Sequence, residues 1–122
     1  MDRKIFAYCE RGLDPGFWAE PLNALSNAAF LLAGLAVLVS WRRAPETARQ
    51  GMVAAFGLML LVIGLGSFLF HTQATAWAAI ADVAPIGVFM LSYWAYALRR
   101  YLGAGWWLTG LATAAFAVTL WA

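Results

Sequence analysis

The sequence is poor in the side chains that usually carry chemistry. It holds one cysteine, one histidine, eight lysines and arginines, and six aspartates and glutamates in 122 residues. Cys9 alone can close no disulfide within the chain and can build no thiolate metal cluster. Charged residues are 11% of the composition, against about 25% in an ordinary soluble domain. None occurs in Pro21–Trp41, Gly51–Ala81, Val83–Leu98 or Leu102–Ala122. Met1–Glu20 alternates Asp2, Arg3, Lys4, Glu10, Arg11 and Asp14, and so lacks the compact apolar core of a cleavable signal peptide. The sequence shows no soluble domain, no linker and no internal repeat.

What is present is apolar. Hydrophobic residues make up 64% of the chain, and mean hydropathy is +0.74. A helix crossing ~30 Å of hydrocarbon needs about 20 residues. The charge-free runs therefore predict an all-α, polytopic transmembrane bundle with four membrane helices, at about 21–41, 51–71, 77–98 and 103–122. The third reaches full length only if it begins upstream of Asp82. Residues 1–20 are an extramembrane segment, and 1–122 is one transmembrane domain. Arg42, Arg43, Arg49, Arg99 and Arg100 fall on one side, and Arg3, Lys4 and Arg11 on the other. The positive-inside rule then puts the amino terminus on the non-cytoplasmic side. With basic residues placed as topology asks, the net charge of +2 carries no nucleic-acid signal. Gly57, Gly64 and Gly66 suit close helix approach. Trp41, Trp77, Trp94, Trp106 and Trp107 lie near expected span ends, as an aromatic belt does.

Against this background a few polar residues stand out. His71 ends the longest charge-free helix, and Ser67 precedes it by one turn on the same face. Asp82 enters at the same end of the next helix. An ionisable group at membrane depth costs roughly 2.5–3.5 kcal/mol on insertion scales, which makes it a functional candidate. Glu10 and Glu20 precede the first helix on that side, and Asn23 and Asn27 lie in its first turns. Each has a plainer reading. His71 and the asparagines can bond a neighbouring helix, Asp82 can cap a helix, and the two glutamates can be solvated. Ser67 can bond the carbonyl of Ile63. Their shared depth is the argument for a site.

These residues also carry a resemblance. The stretches Tyr8-Cys9-Glu10, Ala19-Glu20-Pro21-Leu22-Asn23-Ala24-Leu25-Ser26-Asn27, Gly66-Ser67-Phe68-Leu69-Phe70-His71-Thr72 and Asp82-Val83-Ala84-Pro85 resemble the alkaline ceramidase family. That family lies within a superfamily of seven-helix membrane hydrolases that includes the adiponectin and progestin receptors. The resemblance implies a zinc-dependent amidase that cleaves the N-acyl bond of ceramide or a related lipid amide to a fatty acid and a sphingoid base. It assigns zinc to His71 and to two further histidines of a His-x3-His pair in the last helix. It gives Asp82 the metal-bound water to deprotonate, and gives Ser67 the developing oxyanion. These roles suit amide hydrolysis, in which a carboxylate accepts a proton and a hydroxyl donor stabilises the tetrahedral intermediate.

The resemblance further implies a calcium site with carboxylates at Glu10 and Glu20 and the carbonyl of Tyr8. The chain departs from that pattern at Ala7 and Gly12, where an aspartate and an asparagine are expected, and Asp14 is a candidate substitute. The larger departure is that no His-x3-His occurs in the sequence. Completing the zinc site then calls for the remaining helices of a seven-helix architecture or for a partner chain, and the 122 residues alone are expected to be inactive. The expected partner is a membrane lipid reaching the site laterally. The alternative is a non-catalytic small membrane protein, or a receptor-like relative, whose polar layer serves packing or metal binding.

Overall fold

The computed structural model describes residues 3–6 and 8–121. Ala7, where the calcium pattern departs, and Ala122, the end of the fourth expected helix, lie outside the described residues. The chain forms two compact units, one up to Pro85 and one from Ile86 onward.

In the first unit, helix α1 (Pro21–Ser26) and helix α2 (Ala28–Arg43) make up the first apolar span. Pro21 suits a first helical position, where its missing N–H is no loss. The span expected to be continuous is broken at Asn27, whose Nδ2 bonds the carbonyl of Asn23 at 2.8 Å. Helix α2 ends at Arg43 because Pro45 forces the preceding Ala44 into extended backbone. The Arg49 guanidinium then bonds the carbonyls of Arg42 and Ala44 at that end, both at 2.9 Å. A short 3-10 turn at Glu46–Ala48 leads to helix α3 (Gly51–Gln73). At 23 residues, α3 is ~34 Å long, enough for a hydrocarbon slab. Its mean hydropathy of 2.4 is the highest of the spans.

Helix α3 packs on α2 through small residues. A Cβ placed on Gly34 would stand 2.8 Å from the carbonyl of Gly57, so the two backbones touch where neither has a side chain. Helix α3 stops at Ala74, which takes the left-handed conformation (φ 47). Helix α4 (Ala76–Arg100) begins two residues later. The amino-terminal segment closes this turn. The amide of Ile5 bonds the carbonyl of Ala74, and Lys4 Nζ bonds the carbonyl of Gln73, both at 2.7 Å. A cation suits this helix end, where the last carbonyls have no donors of their own.

In the second unit, the rest of α4 precedes helix α5 (Trp106–Trp121). Gly103 adopts a left-handed turn (φ 63). It delays the start of α5 relative to the expected 103–122 span. Arg99 lies over the ring of Trp106, 3.3 Å from its centroid, and Trp94 packs on Phe116 at 5.2 Å. Trp94 lies within the last two turns of α4.

The described residues form helices and no named strand, with three helices long and apolar enough to cross a membrane and the shorter apolar α5. This is a helical membrane protein, as the composition requires.

Candidate active site

The site is assembled at the carboxyl end of α3. Pro85 lies inside α4 and lacks an N–H, so the carbonyl of Ala81 loses its usual donor four residues on. That carbonyl faces Gly66 so closely that a Cβ there would collide with it, and the same Cβ would come 3.4 Å from the amide of Asp82. The backbones of α3 and α4 therefore touch one residue before Ser67 and one residue before Asp82. This contact sets both side chains at one level. A carbonyl freed by proline and a residue without a side chain are two halves of one joint.

Because the obstacle is backbone, Gly66→Ala is expected to destabilise the fold by at least the ~1–3 kcal/mol typical of overpacking. For a Gly57→Ala control the nearest atoms are side-chain carbons of Leu38 and Val37, at 3.0–3.1 Å, and not backbone. Thermal unfolding in one detergent should rank Gly66→Ala well below Gly57→Ala. Equal midpoints would refute the backbone joint.

Ser67 and Asp82 are both buried, at 8% exposure each. Neither side chain hydrogen-bonds another described residue. The contrast with other helix hydroxyls is informative. Thr72 Oγ1 bonds the carbonyl of Phe68 at 2.8 Å and Ser92 Oγ that of Val88 at 2.6 Å. Ser67 makes no such bond to Ile63, so local satisfaction does not account for it. Nor does Asp82 cap a helix, since α4 starts at Ala76 and Asp82 lies well inside it. Two of the plainer readings thus fall away.

His71 is held from the amino-terminal side. Its Nδ1 lies 2.6 Å from Glu20 Oε2, and the ring of Tyr8 meets it edge-on with centroids 4.8 Å apart. Glu20 is buried and also accepts from Arg11 Nε at 2.5 Å and from Asn23 Nδ2 at 3.4 Å. An ionised carboxylate can only accept, so the bond to Glu20 places a proton on Nδ1. A carboxylate behind a histidine in this way fixes both ring orientation and tautomer. The sequence anticipated the depth shared by Glu20 and His71. It does not reveal Arg11, which in the sequence reads as a topology-setting charge. Arg11 is 3% exposed and bonds the carbonyl of His71 at 2.7 Å. Its position between two glutamates just before a membrane span was the one available signal.

Burial pushes the Glu20 carboxyl up. Hydrogen bonds from His71, Arg11 and Asn23 outweigh it and hold the group below its ordinary value of 4.5. A carboxyl lowered by folding adds stability above the unfolded value, and that stability is lost as pH falls through the folded value. The melting temperature is therefore expected to be flat above about pH 5 and to drop below about pH 4.5, where protonation becomes linked to unfolding. The Glu20→Gln variant, lower at neutral pH, should lose this step. A variant titrating like the wild type would assign the acid sensitivity elsewhere.

Glu10 does something else. Its two carboxylate oxygens accept the amides of Leu22 and Asn23, at 2.8 and 3.1 Å, and so cap α1 from outside the helix. The carbonyl of Tyr8 accepts the amides of Arg11 and Gly12, both at 3.2 Å. Asp14 Oδ1 accepts the amide of Gly16 at 2.7 Å. The oxygens expected at calcium are thus engaged separately, and Glu20 carries a guanidinium. For zinc, the chain supplies His71, and no group of three His, Cys, Asp or Glu that could hold a metal occurs among the described residues.

Residues 7–122 match the family model described as Ceramidase. No curated protein and no solved structure matches the chain.

Proposed function

Since the chain belongs to the ceramidase family, a family of membrane hydrolases acting on lipid amides, we propose that its site cleaves the N-acyl bond of ceramide or a closely related lipid amide. The observation that carries this reading is the state of the polar layer. Ser67 and Asp82 are buried at the level of the α3–α4 joint and hydrogen-bond no other described residue, and His71 stands one helical turn beyond Ser67 with its Nδ1 on Glu20. A carboxyl and a hydroxyl held at one level in an apolar helix pair, and not spent on bonds to its described residues, are available to a bound amide. In the proposed reaction the Asp82 carboxylate accepts a proton from the attacking water. The Ser67 hydroxyl donates to the oxygen that becomes negative when water adds to the amide carbonyl. As the intermediate collapses the C–N bond breaks and the proton held by Asp82 passes to the leaving nitrogen, so the products are a fatty acid and a sphingoid base.

The zinc implied by the resemblance ordinarily takes three protein ligands. Within these 122 residues only His71 is a histidine, so the chain alone does not fit that centre and no step is derived through it. A zinc-dependent form of the reaction needs ligands from further helices or a partner chain. The purified 122-residue chain should therefore bind zinc weakly and exchangeably and release no fatty acid. Tight stoichiometric zinc with turnover of a ceramide analogue would show the ligand set to be complete within the chain. Orientation belongs to the same proposal. Arg42, Arg43 and Arg49 favour the cytoplasmic side for the α2–α3 loop, leaving the amino terminus opposite.

The function is tested in native membranes containing the chain, by following fatty acid released from an N-acyl sphingoid lipid. His71→Ala should abolish the release attributable to the chain while leaving its membrane abundance near the wild-type level. Unchanged release would end the assignment of His71.

A further inference from the structure

We propose that Arg11 is the fixed cation of the amino-terminal segment, holding residues 8–20 closed over the end of α3 and positioning His71 through Glu20. The inference stands on the geometry of this segment and not on the reaction assigned above.

Four oxygens converge on one guanidinium. Nε donates to Glu20 Oε1 at 2.5 Å, Nη1 to the carbonyls of Asp14 and Gly16 at 3.1 and 2.9 Å, and Nη2 to the carbonyl of His71 at 2.7 Å. The oxygens come from the loop, from the residue before α1 and from the last turn of α3, so a single side chain ties three parts of the chain together. One carboxylate with several carbonyls is the kind of oxygen set a hard divalent ion also gathers. Here the positive charge is covalently attached and permanent, because arginine does not deprotonate in proteins. A divalent ion brought to Glu20 would meet that charge at contact distance. It would also have to displace the bonds that keep the loop carbonyls pointing inward.

The second consequence concerns α3. The carbonyl of His71 is among the last four of the helix and has no intrahelical donor. Arg11 supplies one, while Lys4 supplies another at Gln73. The same guanidinium that fixes the His71 backbone also pins Glu20 Oε1, which leaves Oε2 directed at His71 Nδ1. Backbone and ring of one residue are thus fixed through a single cation. Lysine cannot reproduce this, since an ammonium has no planar fork to reach a carboxylate and separate carbonyls together.

The test uses the intact chain in detergent or nanodiscs. His71 is the chain's single histidine, so histidine-selective 15N labelling reports one ring. Wild type should show a protonated Nδ1 and an unprotonated Nε2. Neither this spectrum nor the melting midpoint should change on adding calcium or a chelator. Arg11→Gln should lower the midpoint by several degrees and move both ring nitrogens toward the average of exchanging tautomers. Arg11→Lys should fall between the two in midpoint without restoring the wild-type ring signal. A saturable rise of the wild-type midpoint with calcium would overturn the inference, and that measurement needs no variant. An Arg11→Gln chain that melts with the wild type and keeps its ring signal would overturn it equally.

Discussion

Replacing Glu20 with alanine is expected to destabilise the amino-terminal half of the chain by about 3–5 kcal/mol, the usual consequence of stripping one partner from a buried ion pair. The reason is the company Glu20 keeps. Removing its carboxylate leaves the Arg11 guanidinium buried without a counter-charge and leaves His71 Nδ1 without an acceptor. The loop carbonyls of Asp14 and Gly16 cannot neutralise that charge. Opening of residues 8–20 is then the easier route, because it returns Arg11 to water. Glu20→Gln should be milder, since an amide oxygen still accepts from one of the two donors. Hydrogen exchange would check this directly. In Glu20→Ala, protection should be lost at the amides of Leu22 and Asn23, which Glu10 caps only while the loop is closed. Protection deep in α3, near Ile63, should survive. Uniform loss along the chain would mean that the buried pair supports the whole fold and not the segment alone.

In native membranes containing the chain, Asp82→Asn should reduce the lipid-amide hydrolysis attributable to it by ~10²–10⁴-fold, the range associated with a positioned proton acceptor. The protein itself should scarcely notice. Asp82 bonds no other described residue, so an isosteric amide breaks no contact and removes the penalty of a charge buried in an apolar helix. The expected pattern is therefore activity lost with a melting midpoint equal to or above that of the wild type. This separates it from Gly66→Ala, where both should fall together because the joint that sets the level of Asp82 is itself disturbed. A stable Asp82→Asn protein with wild-type turnover would assign the proton transfer to another group.

How far these residues were legible in the sequence differs from one to the next. Ser67, His71 and Asp82 stood out because polarity is conspicuous in charge-free runs. Their common depth followed from helix lengths and a short turn. Glu20 could be placed at the same helix end as His71, but its bond to His71 crosses 51 residues of sequence, and no local pattern encodes it. Glu10 looked like Glu20 in the sequence and does unrelated work, because its oxygens happen to meet the first free amides of α1. Arg11 was the residue most misjudged. A basic side chain outside the membrane is ordinarily solvated, and only the folded loop shows that it faces inward.

The sequence by itself determined that this is a helical membrane protein, where its apolar segments lie, and which end of them its few polar groups share. Hydropathy and helix length are sums over neighbouring residues, so they can be read from a chain without its fold. The tertiary structure alone decided which charges pair. It turned Arg11 from a surface charge into the cation behind Glu20, and set Glu10 to capping a helix. It also matched the carbonyl freed by Pro85 to the bare backbone of Gly66. Each of these depends on a close approach between groups distant in sequence, and at such range direction and distance, not composition, determine the energy.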